Sequence, residues 1–285
     1  MKIAVIGLGG VGGYLAASFA REGLDVVGFA RGEHLKAIQK SGIKIVEDNE
    51  EWSAALKAEE LNAAKGRFDV VVFCVKSYDL EASYNQIVSH IDESSILMSF
   101  SNGVNNGDLL RSLSNAVVLD SCVYILSHIE KAGVIRKKGK VFAAVFGGDE
   151  KVTQKVAEIF EKAKLRYKTP QNIKEALYKK YIFIAAFATL TSYYDKSIGY
   201  IYEHHYDEAK ELLEEIAAFA KEKEGIDISA EVQKALDTAS KVPYDSSTSM
   251  HLDFQNGKKT EIENLSGYVK KPLMQKFYKE LKERA

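Results

Sequence analysis

The chain has 285 residues, 46% of them hydrophobic and 28% charged, with a formal net charge of −1. That length suits two domains better than one core, and the near-neutral balance gives no electrostatic reason to expect nucleic acid or a membrane surface as partner. No apolar stretch approaches the roughly 20 residues of a membrane span, nothing at the N-terminus reads as a signal peptide, and Cys74 and Cys122 read as free core thiols, so a cytoplasmic protein is expected.

The opening run Lys2–Ile6, KIAVI, predicts a buried parallel strand. Gly7-Leu8-Gly9-Gly10-Val11-Gly12 follows as G-x-G-x-x-G, and an apolar-periodic helix runs on through Leu15, Ala16, Phe19 and Ala20. Gly7 allows the tight turn, Gly9 lets the backbone approach a pyrophosphate, and Gly12 lets the helix pack on the strand. The helix N-terminus offers N–H donors to phosphates, so a dinucleotide site is expected at these six residues. Asp25–Phe29 predicts a second strand, after which NAD-binding folds place an acid for the ribose 2′-hydroxyl. Here Ala30-Arg31 stands instead. An acid would repel a 2′-phosphate, whereas Arg31 can grip one, so NADPH/NADP+ is the expected cofactor. If Arg31 were only a solvated loop residue, the missing carboxylate would still count against NAD.

His34–Lys40 reads as a helix and Ile43–Val46 as a strand. Asp69–Val75 is a strand ending on Lys76, where open α/β sheets hold ligands, so Lys76 is a candidate for cofactor or substrate contact. Ile96–Phe100 repeats the pattern and meets Asn102-Gly103. Asn102 suits plain turn chemistry and suits equally an amide presented to the nicotinamide ribose. Val117–Asp120 continues the sheet. Cys122–His128, Val134–Arg136 and Lys140–Phe146, separated by Gly133 and Gly139, predict antiparallel hairpins closing the sheet's edge. A helix over Asp149–Ala163 and a strand over Arg166–Lys168 complete a Rossmann-type doubly wound α/β domain, residues 1–169.

From Pro170 the strand signals vanish. Helices are expected over Gln171–Tyr194, Glu208–Lys223, Ala230–Ser240, Met250–Gly257, Ile262–Val269 and Leu273–Ala285, forming an all-helical second domain, residues 170–285. The six histidines show no metal-ligand spacing, and no metal is expected. A buried helical domain is compatible with a homodimer.

A nicotinamide domain joined to a helical one implies hydride transfer in the cleft between them. Reducing a carbonyl requires a proton or positive charge at the developing alkoxide. A lysine whose burial lowers its pKa suits that task. Lys180 and Lys179 precede the apolar centre of the first long helix, and periodicity barely separates them. Further on, Ser247-Thr248-Ser249-Met250-His251-Leu252-Asp253 reads as a helix start whose hydroxyls cap it and whose N–H groups can bind a carboxylate. Glu261 follows, and taken alone reads as a solvated acid.

The chain resembles the ketopantoate reductase (2-dehydropantoate 2-reductase) family over essentially its whole length. The likeness rests on GLGGVGG at Gly7–Gly13, Arg31, VKSYDL at Val75–Leu80, SNGVNN at Ser101–Asn106, LYKK ending at Lys180, and STSMHLD…GKKTEIE from Ser247 to Glu263. The resemblance implies that Gly7, Gly9 and Gly12 hold the pyrophosphate, with Leu8, Gly10 and Val11 completing the loop. Arg31 would take the 2′-phosphate, and Lys76 and Asn102 would line the nicotinamide ribose and the substrate. Lys180, rather than Lys179, becomes the general acid; Ser249 binds the substrate carboxylate, and Glu261 engages the substrate hydroxyl and the charge on Lys180. The implied reaction is NADPH-dependent reduction of a small 2-oxo acid, first of all ketopantoate on the way to pantothenate and coenzyme A. Two features depart from the family. Ile184 and Ala188 stand where its members carry asparagines facing the substrate, with Thr191 retained, and Val269-Lys270-Lys271-Pro272 replaces a longer segment. The first departure favours, as alternative, a reductase of a less polar carbonyl compound. A non-catalytic NADP-binding sensor is the reading from another class, against which the pair Lys180 and Glu261 argues. Opine and 6-phosphogluconate-type dehydrogenases share the two-domain plan but not the S-x-S-M-x-x-D stretch.

Overall fold

Alternation along β1 (Ile3–Ile6) builds the first core on both sides of a sheet. Ile3 and Val5 point to one face, where they meet Leu15 and Phe19 of α1 (Gly10–Arg21). Ala4 and Ile6 point to the other, where Leu80, Tyr84 and Leu110 lie. A strand apolar on both faces needs helices on both, which is the pattern of parallel sheets. The computed structural model describes Met1–Arg284 and divides the chain into two compact units. The first comprises Met1–Ser101 and Asn105–Ile173; the second joins Asn102–Val104 to the chain from Lys174 onward.

In the first unit, β2 (Val26–Phe29), α2 (Gly32–Ser41), β3 (Ile43–Val46), β4 (Glu51–Ala54), β5 (Lys57–Glu59) and β6 (Val70–Phe73) follow α1. Then come α3 (Leu80–Ile87), β7 (Ile96–Ser99), α4 (Asn106–Leu113), β8 (Val117–Lys131), β9 (Val134–Gly147), α5 (Glu150–Lys162) and β10 (Tyr167–Lys168). The sheet has the order β4-β3-β9-β8-β7-β6-β1-β2-β5, with β10 also on β9. From β5 to β8 every pairing is parallel. Strand order reverses about β1, the switch point at which doubly wound sheets bind ligands.

The hairpin differs from the expectation of short strands closing an edge. β8 and β9 are two long strands in the interior of the sheet, and β3 and β4 extend it beyond them. Gly139, at φ +66, does not end a strand; it lies where β9 carries extra residues between the pairs Ile125↔Phe142 and Leu126↔Lys138, a bulge. β9 takes β3 along Val134–Arg136 and β10 along Ala144–Val145, end to end on one side. β4 and β5, which carry no apolar run, exist through pairing with neighbours the local sequence does not announce.

The second unit is helical: α6 (Ile173–Tyr194), α7 (Ile198–His204), α8 (Tyr206–Glu224), α9 (Ala230–Ala239), α10 (Ser249–Gln255), α11 (Ile262–Leu265) and α12 (Pro272–Lys282). α7 is an addition to the expected set. The last helix was expected to reach Ala285, which lies outside the described residues. α6 buries Leu177, Tyr178, Ala185, Phe187 and Leu190, while α8 contributes Leu212, Leu213 and Ile216. α8 stops at Gly225 in the left-handed conformation, φ +70, which glycine adopts without a Cβ penalty. Among the described residues no helix is long and apolar enough to cross a membrane.

Candidate active site

Register decides what stands at the carboxyl edge of the parallel strands. Ile6 pairs with Phe29 on one side and Phe73 on the other, and Phe73 pairs with Ser99. The strands therefore end on one line, from which Gly7, Arg31 and Lys76 continue. Gly7 turns the chain at φ +93, and a Cβ there would lie 3.0 Å from the Cys74 carbonyl. At Gly12 a Cβ would lie 2.0 Å from the Gly7 oxygen, so only glycine lets α1 approach β1 this closely. Gly9 is different: nothing lies within 4 Å of the Cβ position. It is the N-cap of α1, no side chain caps that end, and the first turn carries no acid. Orphan N–H donors thus border open space at the positive end of a helix, an arrangement that fits a pyrophosphate.

Arg31 is the exposed N-cap of α2, with extended backbone at φ −143 and ψ 164. Its guanidinium makes no ion pair among the described residues. The nearby Glu33 is held by Lys36 at 2.8 Å. Lys76 is half-buried in extended backbone at the start of a short turn. Ser101 fixes the loops behind it. Its hydroxyl donates to the Val75 carbonyl at 2.6 Å, and its own carbonyl accepts from the Asn106 amide at 3.0 Å.

In the second unit the two adjacent lysines separate cleanly. Lys179 is exposed and paired with Glu175 at 2.6 Å, four residues back on the helix surface. Lys180 is half-buried, and its Nζ donates to Asn102 Oδ1 at 3.2 Å. Ile184 and Ala188 follow Lys180 at helical spacing and share its face. Tyr181, next to Lys180, donates its hydroxyl to the carbonyl of Leu265 at 2.5 Å. Thr189 bonds Ser266 at 2.7 Å. These contacts hold α11 against α6, and Glu261, only 3% exposed, heads α11 as its N-cap.

The start of α10 is braced in the same way. Thr191 donates to the Phe187 carbonyl at 2.6 Å, which leaves its oxygen to accept from the Thr248 hydroxyl at 2.9 Å. Thr248 in turn caps α10, accepting from the His251 N–H at 3.3 Å. Ser249 is the exposed first residue of that helix. A second brace runs from Ser247 Oγ to His251 Nδ1 at 2.7 Å and from His251 Nε2 to Asp195 Oδ1 at 2.7 Å. The bond to His251 holds the Asp195 carboxyl below the usual carboxylate range. Asp195 ends α6 at φ +52, is largely exposed and also binds Gln255. The chain Ser247–His251–Asp195 therefore works as a clamp between α6 and α10. Neither brace was expected from the sequence; the S-x-S-M-H stretch marked a helix start but not its anchor. Among the described residues no cluster of three or more His, Cys, Asp and Glu is placed to hold a metal ion.

The sequence profile described as "Ketopantoate reductase PanE/ApbA" matches residues 3–148, and that described as "Ketopantoate reductase PanE/ApbA C terminal" matches residues 172–272. The uncharacterized oxidoreductase YkpB of Bacillus subtilis is 28% identical over 278 residues, covering 94% of this chain and 91% of its own. The crystal structure of 2-dehydropantoate 2-reductase from Porphyromonas gingivalis is 30% identical, with a TM-score of 0.83 and 99% of each chain covered. At 18% identity, D-mandelate dehydrogenase solved with NADH and anilino(oxo)acetate shares the fold, with a TM-score of 0.87 over 100% of this chain and 98% of its own.

Proposed function

Since the chain belongs to the ketopantoate reductase family and is an oxidoreductase of the 2-dehydropantoate 2-reductase type, we propose that it reduces a 2-oxo acid to the 2-hydroxy acid with NADPH, 2-dehydropantoate being the first substrate to try. The observation that carries this reading is the pairing of Lys180, and not Lys179, with the amide of Asn102. When bound, NADPH supplies the hydride. Lys180 holds a proton on Nζ beside the carbonyl oxygen and gives it up as negative charge develops there. Asn102 accepts a hydrogen bond from that ammonium and keeps it oriented. Ser249, at the braced start of α10, takes the substrate carboxylate, while buried Glu261 takes the substrate hydroxyl and balances the lysine's charge. Lys76 lines the nicotinamide-ribose and substrate side. The loop Gly7–Gly12 cradles the pyrophosphate.

NADPH rather than NADH is supported by Arg31, a guanidinium without an ion-pair partner among the described residues, after β2 where an acid would otherwise take the ribose 2′-hydroxyl. Charge-assisted bonds to phosphate are each worth about 1.5–3 kcal/mol. Arg31→Ala should therefore raise the KM for NADPH by roughly 10- to 100-fold and leave that for NADH within a few-fold. Equal losses with both cofactors would remove the 2′-phosphate role.

A second reading concerns the substrate. Ile184 and Ala188, the two positions following Lys180 on its face of α6, carry no polar side chain with which to meet a substrate hydroxyl. Each polar substrate group left unpaired would lose about 1–3 kcal/mol, which favours a less polar 2-oxo acid; D-mandelate dehydrogenase, of the same fold, holds anilino(oxo)acetate. NADPH oxidation measured against ketopantoate, simple aliphatic 2-oxo acids and phenylglyoxylate decides between them. Turnover of ketopantoate supports the first reading, and turnover of only the apolar acids supports the second. Tight NADPH binding with no turnover of any 2-oxo acid would sink both in favour of a sensor. A cytoplasmic enzyme is consistent with a reaction between two soluble metabolites.

A further inference from the structure

His34 lies in the first turn of α2, yet its ring serves two other segments. Nε2 is 2.8 Å from the Leu8 carbonyl, inside the glycine loop. Nδ1 accepts the Gly133 N–H at 3.1 Å, in the turn between β8 and β9. A nitrogen that accepts a backbone N–H cannot itself carry a proton, so the ring is neutral, with its hydrogen on Nε2 and donated to Leu8. The surroundings are tight. A Cβ at Gly10 would lie 2.3 Å from the Ser127 carbonyl of β8, and one at Gly133 would lie 3.0 Å from Ala37 of α2. Gly133 also gives its carbonyl to Lys44 N–H at 2.9 Å. His34 is thus the side chain that ties the glycine loop, the start of α2 and the hairpin turn together, and Arg31 lies one turn earlier on the same helix.

Resting on the reading of Gly7–Gly12 as the dinucleotide cradle, we propose that His34 is a positioning residue for that cradle, holding it in its binding shape only while the imidazole is neutral, so that dinucleotide affinity falls in acid. Protonation puts a hydrogen on Nδ1, which then faces the hydrogen of Gly133. The ring keeps Leu8 and loses the hairpin, or turns and loses the loop. Burial lowers the pKa of His34 below its ordinary value, with the bond to the Leu8 carbonyl acting in the opposite direction. The charged or titratable side chains of the packed segments near the ring are Arg31, Glu33, Lys36 and Lys40 of α2, Lys44 of β3, and Glu130, Lys131, Arg136 and exposed His128 about the hairpin turn. Asp120, Lys137, Lys138 and Lys140 lie farther along its strands, and the glycine loop has none. Glu33 pairs with Lys36, Lys44 with Glu51, and Glu130 with Arg136. No charged neighbour is a cause of the shift, which follows from burial and the backbone contact. A depressed histidine stays neutral in the fold while the unfolded chain takes up a proton, so its contribution to stability is complete above about 6.5 and is lost as pH falls below that value. Dinucleotide affinity is lost only once the ring protonates in the folded protein, below that same ordinary value.

The test is NADP+ affinity by calorimetry between about pH 7.5 and pH 5 for the wild type, His34→Gln and His34→Ala. Glutamine carries an amide NH₂ that donates and a carbonyl oxygen that accepts, and it does not titrate. In the wild type the Kd should rise roughly tenfold beyond the rise in His34→Gln over this interval, about the worth of one backbone hydrogen bond. The ionisation of the 2′-phosphate is common to all three proteins and cancels in the comparison. His34→Ala should bind more weakly than His34→Gln at neutral pH, because it leaves both backbone groups without the ring. The same acid response in wild type and His34→Gln, with both binding at neutral pH, would overturn the role of His34 alone. A neutral-pH ¹H–¹⁵N spectrum showing a proton on Nδ1 would do so too. Failure of the folded wild type to bind NADP+ at neutral pH would overturn the cofactor reading, and the proposal with it.

Discussion

Lys180→Ala should lower kcat by roughly 10²- to 10⁴-fold, the usual worth of a positioned proton donor, while the KM for NADPH changes little. Hydride arriving at a carbonyl carbon leaves charge on the oxygen, and without a proton or ammonium there that charge has no partner. Lys180 is the half-buried lysine whose Nζ is held at Asn102 Oδ1, 3.2 Å away. Lys179→Ala is the internal control, since it removes only an exposed i, i+4 ion pair with Glu175, and such pairs contribute about 0.3–0.5 kcal/mol. Steady-state NADPH oxidation checks both. A variant at Lys179 that lost turnover while Lys180→Ala retained it would assign the acid to the wrong residue. Loss of turnover together with loss of NADPH binding would mean that Lys180 serves the cofactor and not the proton.

The second large effect lies in the glycine loop, where two alanine substitutions should separate folding from binding. Gly12→Ala forces a Cβ to 2.0 Å from the Gly7 carbonyl oxygen and 2.8 Å from Cys74 Cβ. Backbone atoms cannot step aside as a flexible side chain does, so α1 must lift from β1. The cost should be about 3 kcal/mol or more, seen as a fall in Tm of roughly 6–12 °C, and the displaced helix end should lose NADPH. Gly9→Ala meets nothing within 4 Å, and the Gly9 backbone, at φ −68, lies outside the region reserved for glycine. It should leave Tm unchanged or slightly raised and still weaken NADPH by at least roughly tenfold, because the Cβ occupies the space a pyrophosphate needs. Thermal melts and NADPH titrations of the two variants side by side check this. An unchanged NADPH affinity in Gly9→Ala would place the phosphates elsewhere.

Much of this fold is written locally. The strand–glycine–helix start, the parallel strands ending at Gly7, Arg31 and Lys76, and the switch to helices after Pro170 all follow from patterns a few residues long. Arg31 could be read against the missing acid for the same reason: its environment is set by its place at the end of a strand. The hairpin strands run longer than the local sequence suggests, because Gly133 and Gly139 both read as breaks. Gly133 lies in a turn, whereas Gly139 only bulges a strand whose continuity is enforced by pairing with β8. β4 and β5 carry no local signal, because their partners, not their residues, make them strands.

At the site the limits of the sequence are sharper. Lys179 and Lys180 stand in a helix apolar nearly all round, so periodicity has no contrast with which to choose between them. Resemblance chose Lys180 as the acid, and the structure supplies a geometric difference: one lysine on the surface with Glu175, the other at Asn102. The anchors of Ser249 and Glu261 are remote in sequence. Thr191 meets Thr248 across 57 positions, Asp195 meets His251 across 56, and Tyr181 meets Leu265 across 84. By itself, then, the sequence determined the parallel strands of the sheet, the glycine loop between the first strand and helix, the absence of an acid after the second strand and the set of polar residues available for chemistry. Only the tertiary structure decided which lysine is held at an amide, what braces the starts of α10 and α11, and why His34 must be neutral. Backbone pattern and helix propensity are short-range properties, whereas hydrogen bonds between side chains exist only after the chain has closed on itself.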